Sequence, residues 1–227
     1  MRANFIKMIS PIRFRESSVK KDPTDGRNPF DSDYSRIVLS SHFRRLQDKA
    51  QVFPLERSDF IRTRLTHSLE VACFARGLGL GVEKHLLKKK IITETEIGYI
   101  PTILEVAGLI HDIGNPPFGH FGEEIIKSYF QKIKSLSDDN LIKNAFDSLT
   151  DEHLNFDGNV QGFRILRKLG LAHDNFSYNL TMPILATIIK YPYSSLEGNK
   201  KMSDGGKYSQ KKYGYFTSEK EDYNRII

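Results

Sequence analysis

Residues 103–123 read ILEVAGLIHDIGNPPFGHFGE, and this stretch constrains the chain more than any other. Its first eight residues, Ile103 to Ile110, are apolar except for Glu105. A run apolar on nearly every side is one that packing surrounds. It leads directly into His111 and Asp112, and Gly114 with Pro116-Pro117 then forbids further helix. His120 and Glu123 follow within thirteen residues of His111. Ionisable groups behind a buried run are costly unless something pairs them. A divalent cation would pair them.

The remaining pattern is helical. Ile37, Val38, Leu39, Phe43 and Leu46 recur at helical spacing from Tyr34 to about Gln47. Val52-Phe53-Pro54 marks a short extended piece or turn. Thr66 is placed to cap a helix from about His67 to Leu87, with Glu70 complementing its dipole. Pro101 is placed to open the next helix, which ends at Gly114. Further helices are expected over about Gly119 to Ile133, Val160 to Leu169 and Thr181 to Ile189, with a polar turn between Ser135 and Asn140. Alternating segments are scarce and no internal repeat is present. The expectation is an all-α chain in three parts: an irregular segment over 1–33, a helical core over 34–193, and a Gly-, Ser- and Lys-rich loop or tail over 194–227.

Apolar residues at 39% and charged residues at 27% fit a folded chain. The longest apolar run is far too short to span a bilayer, and the basic N-terminus lacks a secretory apolar core, so no membrane association is expected. Cys73 is the only cysteine, which excludes an internal disulfide and suits a reducing, cytoplasmic setting. A net charge of +6 favours anionic partners without separating nucleotides from nucleic acid.

His67, His111 and Asp112 offer imidazole nitrogen and carboxylate oxygen, good ligands for a first-row divalent ion. Neighbours on a helix diverge by about 100°, so His111 and Asp112 converge only where the helix relaxes, and Gly114 supplies that end. His67 must come from a packed neighbour. His120 and Glu123, three apart, share a helix face and form a candidate general acid/base pair, the carboxylate fixing the imidazole tautomer. Arg57, Arg62 and Arg64 precede His67, and Arg64 is the best phosphate-binding candidate among them.

RTRLTHSLEV, HDIGNPPFGHFGE, FRRLQDKAQVFP, FDGNVQGFRIL and KYGYFTSE resemble segments of the deoxyguanosine triphosphate triphosphohydrolases, within the HD-domain superfamily, in the same order and from about Ser35 to Glu219. The resemblance implies an all-α HD-domain helical bundle and a divalent metal, with Mg, Mn, Co, Ni and Zn all open. It implies direct release of tripolyphosphate from dGTP, and possible action on other dNTPs. By motif, His67, His111 and Asp112 would hold the metal, and His120 with Glu123 would be catalytic. Gln47 would contact the sugar, Arg64 phosphate, and Asn159 would shape the nucleotide pocket. Family members are typically homo-oligomers, and some bind single-stranded DNA.

One departure stands out. The family pattern places a fourth metal ligand, an aspartate, on a helix beyond KYGYFTSE. Asp222 is the only nearby aspartate, and its surroundings, EKEDYNRII, do not match. The chain is therefore expected to be the N-terminal portion of such an enzyme, incomplete at its C-terminal side and weakly active or inactive alone. The alternatives are another HD-domain nucleotide phosphohydrolase, or a non-catalytic nucleic-acid-binding or oligomerising fragment.

Overall fold

The computed structural model describes residues 2–16, 24–53, 58, 60–136, 153–171, 174–198 and 205–227. Among these it contains nine α-helices, three isolated β-bridges and no strand. Arg57 and Pro54, and all but the first two residues of the turn expected at 135–140, lie outside the described residues. The helices are α1 (Arg2–Met8), α2 (Pro29–Val38), α3 (Ser41–Arg44), α4 (Arg64–Lys88), α5 (Tyr99–Ile110), α6 (Gly119–Leu136), α7 (Gly158–Arg164), α8 (Met182–Ile188) and α9 (Lys220–Ile226). The all-α expectation holds.

At the centre lies α5. Ile100, Ile103, Val106, Leu109 and Ile110 are all buried, as its nearly unbroken apolar sequence requires. Antiparallel to it runs α4, and two glycines set their separation. A Cβ on Gly108 would fall 2.5 Å from the Ala72 Cα, and one on Gly79 would fall 2.7 Å from the Pro101 Cα. Following this register toward the start of α4 brings His67 level with the residues just after α5. The sequence thereby delivers the histidine of one helix to the His111-Asp112 pair of another. Phe30, Ile37 and Leu46 close one side of the core, and Phe163, Leu166, Ile184 and Leu185 close another.

Several local expectations are corrected. The segment 1–33 is not uniformly irregular, because α1 spans Arg2–Met8 and α2 begins at Pro29. Asn28-Pro29, which reads as turn chemistry, is an N-cap followed by proline in the first helical turn. The Asn28 side chain accepts from the Phe30 and Asp31 amides, and Asp31 accepts from the Asn28 amide. The helix expected over 34–47 is broken, since Ser40 caps a new helix and a 3₁₀ turn over Arg45–Asp48 follows. Thr63, not Thr66, caps α4, and Glu70 pairs with Arg62 at 2.7 Å. A π-helical turn over Ile165–Leu169 continues α7.

The C-terminal stretch is also more than a tail. Tyr213, Tyr215 and Phe216 are buried, and Tyr215 stacks on Tyr223 with ring centroids 4.2 Å apart. Glu219 and Asp222 are buried against Arg164 and Arg167, at 3.1 and 2.6 Å. Aromatic residues spaced among charges read as a polar loop. Here Tyr213, Tyr215 and Phe216 face inward, while Tyr208 and Lys211 stay outside.

Candidate metal centre

Ligand atoms of His67, His111 and Asp112 all lie within 4.8 Å of one another. The two imidazoles meet edge to face with centroids 5.3 Å apart. The helix α5 ends at Ile110, and the turn over 111–114 lets consecutive residues converge, as the position of Gly114 predicts.

The polar geometry at this end has a consequence. His111 Nδ1 lies 2.7 Å from the Gly108 carbonyl oxygen, which can only accept, so Nδ1 carries the proton. In the neutral ring, Nε2 is then a bare acceptor, and it faces Asp112 Oδ1 at 3.6 Å. Two acceptors confronting each other repel unless a cation lies between them. The donor set therefore fits a divalent ion, with a backbone carbonyl fixing the tautomer from behind.

Around Asp112 the structure gives Arg64 a partner other than phosphate and adds Asn115 and Lys49. Arg64 Nη1 donates to Oδ2 at 2.8 Å, and Asn115 Nδ2 donates to Oδ1 at 2.6 Å. Lys49 Nζ in turn donates to the Asn115 carbonyl at 2.6 Å. Burial, and then the nearby Arg64 charge, hold the Lys49 ammonium below the usual lysine range. Arg64 is itself buried, and its Nε has no hydrogen-bond partner among the described residues. Its guanidinium is thus committed first to orienting Asp112, from beneath the site.

His120 and Glu123 lie one turn apart near the start of α6, after the Pro116-Pro117 loop. His120 Nδ1 is 2.7 Å from Glu123 Oε2, and the Gly158 amide donates to Glu123 Oε1 at 2.9 Å. Glu123 is buried, whereas the His120 side chain is 80% exposed. A buried carboxylate thus holds a solvent-facing imidazole, an arrangement suited to proton transfer at Nε2. Gly158 allows this approach: a Cβ there would fall 2.3 Å from Asn115 Oδ1 and 2.8 Å from Glu123 Oε1. The FDGN segment therefore ties the metal loop to the acid/base pair.

A cavity of about 220 Å³ opens beside this pair, lined by His120, Glu123, Lys127, Asp157 and Lys212 among others. Lys127 and Lys212 line it too, paired with Glu124 at 2.8 Å and with Asp157 at 3.7 Å. Neither belongs to a spacing pattern that would single it out in the sequence. Asp157 caps α7 by accepting from the Asn159 and Val160 amides, and the Asn159 side chain is held near Asp157 Oδ1 at 3.3 Å. Gln47 is exposed in the 3₁₀ turn, where its Oε1 accepts from the Thr63 hydroxyl at 3.2 Å, one residue before α4. Asp222 is not brought to the metal residues, because its carboxylate is held by Arg167 and Lys168.

Comparison with known proteins bears on this geometry. A family model described as HD domain matches residues 64–191. The chain is 43% identical to the deoxyguanosinetriphosphate triphosphohydrolase-like protein of Listeria innocua serovar 6a, over 97% of this chain and 48% of that protein. It is 43% identical to the protein of the same description from a Synechocystis species, over 88% of this chain and 45% of the relative. Identity to the deoxyguanosinetriphosphate triphosphohydrolase of Klebsiella pneumoniae strain 342 is 35%, over 94% of this chain and 46% of that enzyme. The chain thus spans about half the length of the curated relatives it matches.

Proposed function

Since the chain belongs to the HD-domain family, we propose that it carries the metal and acid/base residues of a hydrolase that converts dGTP to deoxyguanosine and tripolyphosphate. The opposed acceptors His111 Nε2 and Asp112 Oδ1 carry this reading, together with the anchored His120–Glu123 pair. His67, His111 and Asp112 would hold a divalent ion, and their mixed nitrogen and oxygen ligands suit Mn, Co, Ni and Zn, with Mg a further candidate where oxygen and water ligands dominate. Such an ion supplies Lewis-acid polarisation of a phosphoryl oxygen and lowers the pKa of water. Arg64 and Asn115 keep Asp112 turned toward the ion. Glu123 holds the Nδ1 proton of His120, leaving Nε2 to pass a proton to the departing 5′-oxygen or take one from water. Lys127 and Lys212 would meet a triphosphate beside that nitrogen by exchanging their present partners Glu124 and Asp157 for phosphate oxygens. Gln47 and Asn159 are the proposed contacts to the sugar and nucleotide pocket, and Arg64 adds positive charge toward phosphate from below. Other dNTPs are further candidate substrates, and the setting is cytoplasmic.

The products test the reading. dGTP incubated with Mn²⁺ and separated by chromatography is expected to show at most weak turnover by this chain, the products being deoxyguanosine and tripolyphosphate in equal amounts and a chelator stopping their release. Release of dGDP and phosphate would point to a different HD-domain phosphohydrolase.

Unchanged dGTP would favour a second reading, an oligomer-forming or single-stranded-DNA-binding module. Two exposed apolar stripes support association: Phe74, Leu78 and Val82 on α4, and Phe121, Ile125 and Tyr129 on α6. No helix among the described residues is long and apolar enough to cross a membrane, so these stripes do not mark a span.

A further inference from the structure

Both oxygens of Asp112 are held from behind. Asn115 Nδ2 holds Oδ1 at 2.6 Å, and Arg64 Nη1 holds Oδ2 at 2.8 Å. One residue is joined to both of these holders. The Lys49 carbonyl accepts from the Arg64 amide at 2.9 Å, and the Lys49 ammonium donates to the Asn115 carbonyl at 2.6 Å. Arg64 opens α4, and Asn115 lies in the loop after α5. Lys49 belongs to neither helix and follows the 3₁₀ turn over Arg45–Asp48. It ties the start of α4 to the loop that carries the metal residues.

The backbone of Lys49 is a fixed base. Its amide donates to the Leu46 carbonyl at 3.3 Å, and the next residue, Ala50, forms an antiparallel bridge with Thr63, the cap of α4. From that base a partly buried side chain reaches the metal loop. An ammonium bonded to a carbonyl makes a charge-assisted hydrogen bond, roughly twice as strong as a neutral one. The Asn115 amide donates to the Asp112 carbonyl at 3.2 Å, so the segment between them is a tight turn. Fixing the Asn115 carbonyl therefore fixes the residue whose side chain clamps Oδ1. The position does not favour a cation for its own sake. Burial, and then the Arg64 charge, work against the ammonium, with Asp112 opposing them. A solvated lysine would meet neither penalty.

We infer that Lys49 is a positioning residue for the divalent ion: its ammonium holds the Asn115 carbonyl, Asn115 holds Asp112 Oδ1, and the carboxylate is thereby presented to the ion in one orientation. This role presupposes the reading of His67, His111 and Asp112 as ligands to that ion. Two effects of the side chain have opposite signs. As a positive charge near the centre, Lys49 repels a divalent ion, and removing it would tighten binding. As a strut, it orients a ligand, and removing it would weaken binding. Water screens the repulsion at a partly buried group. Loss of a residue that orients a metal ligand typically costs about 10–100-fold in affinity. Positioning is therefore the larger effect, and the sign of the change separates the two.

The test is calorimetric titration of the 227-residue chain with Mn²⁺, alongside visible absorption of the Co²⁺-loaded chain, which reports ligand geometry. Lys49→Met keeps the apolar stem and removes the donor. It is expected to weaken Mn²⁺ by about tenfold, the low end of that scale because Lys49 acts through Asn115, and to shift the Co²⁺ spectrum. Asn115→Ala is expected to weaken Mn²⁺ at least as much. With Asn115 already alanine, adding Lys49→Met is expected to change affinity by less than about twofold, because the route to Asp112 is cut; independent sites would add instead. Lys84→Met removes the same charge from an exposed position roughly 30 Å along α4 from Arg64, and is expected to leave both readouts unchanged. Should Lys49→Met be unfolded by circular dichroism, Lys49→Gln replaces it; its amide falls one atom short of the Asn115 carbonyl, and the same loss is expected. Unchanged or tighter Mn²⁺ binding in a folded Lys49 variant would overturn the proposal. So would full additivity with Asn115→Ala, or a loss of affinity with no change in the Co²⁺ spectrum. A wild-type chain that binds no ion would overturn the metal reading itself and this role with it, a failure distinct from the others.

Discussion

Replacing His120 with alanine is expected to lower kcat for dGTP hydrolysis by about 10²–10⁴, the usual contribution of a positioned acid or base. KM is expected to change far less, because the side chain acts on the proton rather than on ground-state binding. The geometry gives the reason. Glu123 is buried and fixed by the Gly158 amide, so its second oxygen has one task, which is to hold Nδ1 of His120. Alanine removes Nε2 and leaves that carboxylate facing the cavity. Glu123→Gln is expected to lose less than His120→Ala, because the imidazole remains, although the single amide oxygen can replace only one of Oε1, which accepts from Gly158, and Oε2, which holds Nδ1. The measurement is steady-state kinetics in a preparation that turns over dGTP. A rise in KM at unchanged kcat would assign the pair to substrate binding instead.

Arg64→Ala is expected to destabilise the metal-free protein by about 3–5 kcal/mol, the cost of removing one member of a buried ion pair. Both side chains are less than a tenth exposed, at 8% and 9%. That loss is a large part of the total stability of about 5–15 kcal/mol available to an ordinary domain. Saturating Mn²⁺ is expected to shrink the loss, because a cation bound at Asp112 replaces part of the missing charge and binding to the folded state adds stability. Urea unfolding with and without Mn²⁺ measures both quantities. An equal loss under the two conditions would show that Arg64 and the ion do not share Asp112.

Much of this centre is legible in sequence because its determinants are local. The apolar run into His111-Asp112 dictates a buried helix ending at ligands, and Pro116-Pro117 dictates the break before His120 and Glu123. Glycine at 108 gave no sign of its role, although it sets the helix approach that brings His67 into place. Arg64 reads as a phosphate ligand because it is the nearest of three arginines that precede His67; its partner Asp112 is 48 residues away, which no local pattern encodes. Lys49 and Lys212, whose partners Asn115 and Asp157 are also distant in sequence, escape for the same reason. The capping errors have a different cause. Thr63 and Thr66 are both good caps three residues apart, and tertiary packing chose the earlier. Asn28-Pro29 carries the same residues whether it makes a turn or starts a helix. The buried aromatics of 213–216 were hidden by the lysines and glycines around them.

The central claim is that His67, His111 and Asp112 hold one divalent ion. Calorimetric titration of the chain with Mn²⁺ tests it most directly, with His111→Ala alongside and circular dichroism to establish that the variant is folded. The account predicts one ion per wild-type chain and its loss, or a large weakening, in the variant. Unchanged stoichiometry and affinity in His111→Ala would contradict it.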